Sequence, residues 1–448
     1  MIPKVRTVQD TPGLSLAEYV ERAQTWWGLA CDLLVLWRRN GHGRPPRASL
    51  GPRYTAWGDV LGDAEQRLGA PETVDLQEHH RAALIALAAG SHVTEADCAH
   101  AIANALCNVA SATFAPAWRD ELRAASAGPV VLPRGAFFPV ACSPWKRGGL
   151  APSSLPERLS RTGTGEMPTI RVHDGSFRVT VDVSLERWLE NISERLTGAA
   201  AAHPNVHWGE ISMPAKNGFV FPVAPVDTDA QLTRIKTLIE QAQAANMPVV
   251  VLPELSVTED LIARLATTVE DFDGEQLVIA GSYHAKVGGK PENVAVGLIA
   301  GTQKRMIQVK NRPFTRGRRR GEPPMKEAIH EREPIELTIY PADLYRYAIG
   351  ICLDVLDRGM QAVYARMGVN VLLVPALSEK TDPFRKAVSV LVAGAQTLTV
   401  VVNGPLHGPD GEPISPAIVV GQPVVGPDRA EPPTNGAVGL TVFSLPAR

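Results

Sequence analysis

Three residues in the second half of the 448-residue chain stand where buried strands do not ordinarily end. Glu254 closes the apolar run VVVLPEL, Lys310 closes MIQVKN, and Cys352 closes AIGICLD. The ends of parallel strands face the crevice in which α/β folds place their sites. Taken singly, each has an ordinary explanation. A glutamate after a strand caps a helix or sits in a solvated loop, a lone lysine is a surface charge, and a buried cysteine is a small core residue. Taken together they supply a carboxylate, a cation and a thiol. A thiol is a poor nucleophile until ionised, and a nearby carboxylate can take its proton. That set needs neither a metal nor an organic cofactor.

Composition narrows the class. The hydrophobic share is 45%, the charged share 21% and the formal net charge -2. This is the balance of a globular protein with a substantial core, and it steers the chain neither toward nucleic acid nor away from it. No apolar run approaches the roughly 20 residues of a membrane span, and MIPKVRTVQDTPG lacks a secretory signal's apolar stretch. A cytoplasmic protein without membrane attachment is expected. The five cysteines, Cys31, Cys98, Cys107, Cys142 and Cys352, are too few and scattered for a disulfide framework. Cys98, His100 and Cys107, with His92 nearby, lie in the Ala-rich stretch ADCAHAIANALCNVA and match no regular zinc-ligand spacing. They read as helix-packing residues.

The elements that must position the three residues follow from periodicity. All eight tryptophans lie at or before Trp208, and most of the strand pattern follows it. Ser15 and Glu18 form a capping box before apolar positions at helical spacing from Leu16 to Trp37. Further helices are predicted near 77–90, 94–110 and 116–125. Residues 128–168, rich in Gly, Pro, Ser and Arg, read as an irregular connection. Asp174-Gly175 then signals a hairpin within TIRVHDGSFRVTVDV, and Ser184 starts a helix bearing Leu185, Trp188, Leu189, Ile192 and Leu196. This divides the chain into a mainly helical domain over 1–127, a linker, hairpin and helix over 128–204, and an α/β domain over 205–448. In the last, FVFPVAPV predicts a buried strand, and Thr228 with Gln231 caps a helix. PVVVLPE is a second strand, followed by a helix near 258–268. LVIAGSYHA, NVAVGLIA and KRMIQV are successive antiparallel strands. RYAIGICLD, VNVLLVPA and LTVVVNG restore strand–helix alternation, with helices near 359–367 and 382–396. Continuous Val/Ile/Leu runs belong to strands covered on both faces, which gives a layered α/β domain with a mixed sheet.

The order strand–Pro-Glu, strand–Lys, strand–Cys resembles the Glu–Lys–Cys triad of the nitrilase, or carbon–nitrogen hydrolase, superfamily. Its surroundings do too. NGFVFPVAPVDTDAQLTRIKTLIEQAQAANMPVVVLPEL is similar to that family's first strand, helix and glutamate-bearing strand. LVIAGSYHAKVGGKPENVAVGLIAGTQKRMIQVKNRPF is similar to its central hairpin, including Asn293 and Lys310, and YAIGICLDV to its nucleophile strand. The resemblance covers about residues 215–445. It implies an αββα sandwich, Glu254 as proton carrier, Cys352 as nucleophile, and Lys310 with the backbone N–H of Leu353 as oxyanion donors. It also implies supporting roles for Asp354 and Asn403, a second glutamate for which Glu322 is the nearest candidate, and pairing into a homodimer or larger assembly. The chain departs from the family pattern at Leu353, where an aromatic is common, and at Asp357-Arg358-Gly359, where Pro-Glu is common. It departs again at Val392–Thr397, where Arg-Ala-x-Glu-Asn is expected.

Arg312, Arg316, Arg318, Arg319 and Arg320 crowd the loop after Lys310. One reading is a solvated loop balanced by Glu322, Glu327, Glu331 and Glu333. The other is a mouth at which Arg312, Arg316 and Arg318 guide an anionic substrate group inward. The resemblance implies hydrolysis of a linear amide or N-carbamoyl compound through a thioester. It disfavours a nitrile, which goes with a Trp-Glu pair after the cysteine, and lipoprotein transfer. No ammonia-consuming synthetase domain is expected after this one. The alternative is a catalytically silent binding or scaffold protein, with a regulatory or defence role through its helical segment.

Overall fold

The computed structural model describes residues 14–24, 52–69, 75–106, 177–182, 184–272, 275–316, 324–342, 345–423, 426–430 and 439–445, with 26, 29–30, 32–33, 36, 109 and 130–131. The chain forms two compact units, Met1–Arg171 with Ala365–Gly368 and Val172–Tyr364 with Val369–Arg448. Among the described residues no helix is long and apolar enough to cross a membrane.

The first unit is helical where described. Ser15 and Glu18 close the capping box on the helix Leu16–Arg22. That helix breaks at Ala23 and Gln24, whose carbonyls are taken by tertiary donors, and helical conformation returns at Trp26 and at the described residues between Leu29 and Leu36. Arg81 donates twice to the Ala23 carbonyl, at 3.1 and 2.9 Å, and the Leu76 N–H donates to Gln24 at 2.8 Å. Helices Pro52–Leu68 and Glu78–Gly90, with helical residues 95–106, share a core that includes Trp26, Trp57, Leu84 and Ile102. Within it His100 accepts the Trp57 indole N–H at 3.1 Å. Burial holds His100 down to about 4 against the opposing pull of Asp97, so it is a neutral packing group. The helix predicted near 116–125, the connection 128–168, the Asp174-Gly175 turn and Cys31, Cys107 and Cys142 lie outside the described residues.

The second unit opens with β1 (Phe177–Val181), α1 (Glu186–Glu194) and β2 (Gly198–Ala202), followed by α2 (Thr228–Ala244), β3 (Val249–Val251) and α3 (Glu259–Glu270). The meander β4 (Leu277–Val287), β5 (Lys290–Ile299) and β6 (Arg305–Val309) follows, then β7 (Ile335–Ala342) and β8 (Tyr345–Ile349). The remainder is α4 (Leu353–Leu356), α5 (Arg358–Arg366), β9 (Val371–Ala376), α6 (Asp382–Ala395), β10 (Leu398–Asn403), β11 (Ile418–Gln422), β12 (Gly426–Ala430) and β13 (Leu440–Ser444). One sheet runs β6-β5-β4-β3-β2-β13 and the other β1-β7-β8-β9-β10-β11-β12. Both are mixed: β2, β3 and β4 are mutually parallel, as are β8, β9 and β10, with antiparallel strands outside them.

Helices α2 and α3 lay Leu232, Ile235, Ile239, Leu261 and Leu265 on the first sheet. Each such side chain contributes about 1.5–3 kcal/mol of burial, so packing holds these helices more than propensity does. On the second sheet α6 lies so close that a Cβ at Gly421 would come within 2.2 Å of Val388. The sheets meet through their inner faces. Gln308 donates to the Glu336 carbonyl at 3.0 Å and accepts the Thr338 N–H at 3.0 Å, and the Glu254 N–H donates to the Ala376 carbonyl at 3.3 Å. The result is an αββα sandwich.

Three sequence expectations are corrected. FVFPVAPV is not one buried strand. It forms the two-residue strands Phe219–Val220 and Ala224–Pro225 in separate small sheets, because Pro222 and Pro225 cannot donate to a ladder. An interior strand lies instead at GAAAA, the buried β2 between β3 and β13, which has no β-branched residue to announce it. A Cβ at Gly198 would meet Met247 Sδ at 2.9 Å, so small residues are what this packing admits. The α/β unit therefore takes in strands before residue 205, and β1 pairs in parallel with β7 far along the chain, Phe177 opposite Ile335. The cap of α2 is also one residue early: Asp227, not Thr228, accepts the Ala230 N–H.

Candidate active site

Glu254, Lys310 and Cys352 converge, and each is at most 2% exposed. Glu254 follows β3 by three residues. Lys310 follows β6 directly, its N–H bonded to the Asn293 carbonyl of β5 at 2.8 Å. Cys352 lies at the turn from β8 into α4, its N–H bonded to the Pro375 carbonyl at 3.0 Å. Its φ of 46° and ψ of -108° fall in a region that side-chain-bearing residues seldom adopt. Such strain persists only where surrounding packing enforces it, and it is concentrated at functional turns. Leu353, next along, opens α4, so its N–H has no intrahelical acceptor.

Lys310 Nζ donates to Glu254 Oε1 at 2.6 Å and to Glu327 Oε2 at 2.7 Å. Asn293 Nδ2 bridges the same two carboxylates, at 2.9 and 2.8 Å. Glu254 Oε2 accepts the Leu377 N–H at 3.1 Å, while the Cys352 thiol faces the Leu377 carbonyl at 3.8 Å. Leu377 thus touches both the thiol and the carboxylate through its backbone. Asn403, at the end of β10, fixes that turn: its Oδ1 accepts the Ser378 N–H and its Nδ2 donates to the Ser378 carbonyl, both at 2.8 Å.

The two glutamates are driven apart electrostatically. Burial raises Glu254 above the ordinary carboxylate range, Lys310 opposes this and Glu327 reinforces it. Burial acts on Glu327 in the same direction, but Lys310 and the hydrogen bond from His284 overcome it and hold Glu327 well below that range. Glu327 is thus a fixed anion with four donors: Lys310, Asn293, the Phe314 N–H at 2.8 Å and His284 Nε2 at 2.9 Å. His284 Nδ1 accepts the Val223 N–H at 2.8 Å, which places the ring proton on Nε2. Burial and the neighbouring Glu254 push the Cys352 thiol up, against Lys310. Lys310 itself is held well above its ordinary value, its two carboxylates outweighing burial.

Asp354 ties the nucleophile turn to the lysine loop. Its carboxylate accepts the Asn311 N–H at 3.0 Å and the Arg312 N–H at 2.9 Å, and burial pushes it up to about 7 in spite of them. Glu327 was missed as a site residue in the sequence. Seventeen positions beyond Lys310, it lies within a charged stretch that reads as solvated loop. The second glutamate on Lys310 is therefore Glu327; Glu322 lies outside the described residues, as does Arg318. Arg316 belongs to the short strand Thr315–Arg316. The Arg312 guanidinium pairs with Glu331 at 3.0 Å and Asp357 at 3.7 Å.

No family model matches the chain, and no curated protein does. Among solved structures, the chain is similar to an amidase from Nesterenkonia sp., at 16% identity over 56% of this chain and 91% of that one, with a TM-score of 0.41. It is similar to Nit3 of Saccharomyces cerevisiae, a member of branch 10 of the nitrilase superfamily, at 15% identity over 56% and 90%, with a TM-score of 0.40. It is also similar to a glutamine-dependent NAD+ synthetase from Acinetobacter baumannii, at 12% identity over 55% of this chain and 45% of that one, with a TM-score of 0.41.

Proposed function

We propose that this protein hydrolyses a non-peptide carbon–nitrogen bond, in an amide or N-carbamoyl compound, with Cys352 as nucleophile. The observation that carries the reading is the buried meeting of a strained cysteine, a raised carboxyl and an ammonium within one hydrogen-bonded cluster. Glu254 takes the thiol proton as Sγ attacks the carbonyl carbon. The resulting oxyanion is held by the Lys310 ammonium and the Leu353 N–H. Collapse breaks the C–N bond, and the proton on Glu254 passes to the leaving nitrogen. A water then gives a proton to Glu254 and attacks the thioester. The acid departs, and the sulfur recovers its proton. Glu327 stays ionised throughout, anchoring Lys310 and keeping Glu254 the member of the pair that carries the proton.

The test is mass spectrometry of the full chain incubated with an amide library, beside Cys352→Ala. A covalent adduct on Cys352 and product formation that both vanish in the variant are expected. A Cys352 unreactive toward every substrate and thiol probe overturns the hydrolase reading and leaves the silent binding protein.

A further inference from the structure

Glu327 holds Lys310 with one oxygen and is itself held by the other. Its Oε2 accepts from Lys310 Nζ at 2.7 Å and from the Phe314 N–H at 2.8 Å. Its Oε1 accepts from Asn293 Nδ2 at 2.8 Å and from His284 Nε2 at 2.9 Å. Asn293 and His284 stand opposite each other on β5 and β4, so both side chains rise from one face of that hairpin. Asn293 divides its amide between Glu327 and Glu254, whereas the Nε2–H of His284 goes to Glu327. The imidazole is fully buried and fixed on further sides: Nδ1 accepts the Val223 N–H at 2.8 Å, and the Phe221 ring stacks on it with centroids 4.8 Å apart. Val223 belongs in turn to the apolar cluster of Ile211, Val220 and Leu255 on which Leu377 packs. One ring therefore joins the Phe221–Val223 segment to the carboxylate that carries the ammonium.

We propose that His284 is a positioning residue of this site: by donating Nε2–H to Glu327 it sets where Lys310 meets the oxyanion. This rests on the hydrolase reading above and extends it beyond the groups that touch substrate. A buried carboxylate that loses a donor turns toward another or takes up a proton. Either response shifts Lys310 Nζ, and an oxyanion donor acts only at hydrogen-bonding distance. The Val223 N–H contributes by occupying Nδ1, which leaves Nε2 as the nitrogen that carries the proton.

The experiment compares His284→Asn with His284→Gln in the full chain. Asparagine can accept from Val223 but falls short of Glu327, whereas glutamine places an N–H₂ where Nε2 stood. p-Nitrophenyl acetate acylates Cys352: the Sγ–C bond forms through an oxyanion, the C–O bond breaks, p-nitrophenolate leaves, and the thiol proton passes to Glu254. Iodoacetamide alkylates the same thiol, releasing iodide without an oxyanion, so the ratio of the two rates reports Lys310 as oxyanion donor. His284→Asn is expected to lower that ratio roughly tenfold to a hundredfold, the effect of one hydrogen bond to a charged group, and His284→Gln to keep it within about threefold. Each variant loses one of the two ring bonds, so a merely structural role would move both alike. A ratio that falls equally in both, or in neither, overturns the role of His284 alone. In the unsubstituted chain, nitrogen NMR of labelled histidine should show the ring that contacts Phe221 protonated at Nε2 and bare at Nδ1. A proton on Nδ1 overturns the role as well. An unsubstituted Cys352 that is not acylated overturns the hydrolase reading, and the role of His284 with it.

Discussion

Replacing Glu327 by glutamine tests the division of labour between the two carboxylates. Both accept from Asn293 Nδ2, at 2.9 and 2.8 Å, and from Lys310 Nζ, at 2.6 and 2.7 Å. Their nearest oxygens are therefore about 5 Å apart, and at an effective dielectric of about 20 their mutual repulsion is about 3 kcal/mol. Glu327→Gln removes this repulsion and leaves Lys310 with Glu254 as its one carboxylate partner. Both changes make Glu254 give up its proton more readily. The acidic limb of the kcat/KM profile is then expected to move to lower pH by more than one pH unit. The glutamine amide also turns an N–H₂ toward either Lys310 or His284, each already a donor. The variant should thus lose about 3–5 kcal/mol of stability in urea unfolding. The assay is ammonia release between pH 4 and 9, restricted to conditions where circular dichroism shows the variant folded. An acidic limb that stays in place or moves up in the folded variant refutes the idea that Glu327 acts on Glu254 through charge.

Further consequences follow from the same geometry. Asn403→Ala removes both bonds to Ser378, about 1–3 kcal/mol of local stability, and frees the turn whose Leu377 N–H holds Glu254. The expectation is a fall in kcat of tenfold or more with little change in KM. Gly281 has a φ of 74°, and a Cβ there would lie 2.1 Å from the Pro253 carbonyl. Gly281→Ala should cost about 3 kcal/mol or more and displace Glu254, visible as lost stability and lost activity together. Asp354 rises from 3.8 to about 7 on burial, so between those values the folded state holds a proton that the unfolded state has released. Its contribution to stability therefore falls as pH rises through that window. Asp354→Asn should flatten the decline, measured as urea midpoints at pH 4, 5.5 and 7.

Chain-local signals made much of the scaffold legible. Continuous apolar runs marked β3, β9 and β10, successive strand-like runs marked the β4–β6 meander, and polar residues at three run ends marked Glu254, Lys310 and Cys352. These are legible because strand burial and helix capping depend on neighbours within a few positions. β2 was not, since Gly198–Ala202 carries no propensity for a strand and owes its conformation to β3 and β13 on either side. The break at Ala23 was hidden for the same reason, its carbonyl being satisfied by Arg81 from another helix.

What the sequence by itself determined is the set of reactive groups, their order, and a layered α/β frame whose strands end in them. Tertiary structure decided which groups meet and in what charge state. Glu327, Asn293, His284 and Leu377 come from separate strands and turns, and hydrogen bonds and charge coupling act over a few ångströms of space irrespective of distance along the chain. For that reason Arg312 pairs with Glu331 and Asp357, and Glu327 is a buried anion.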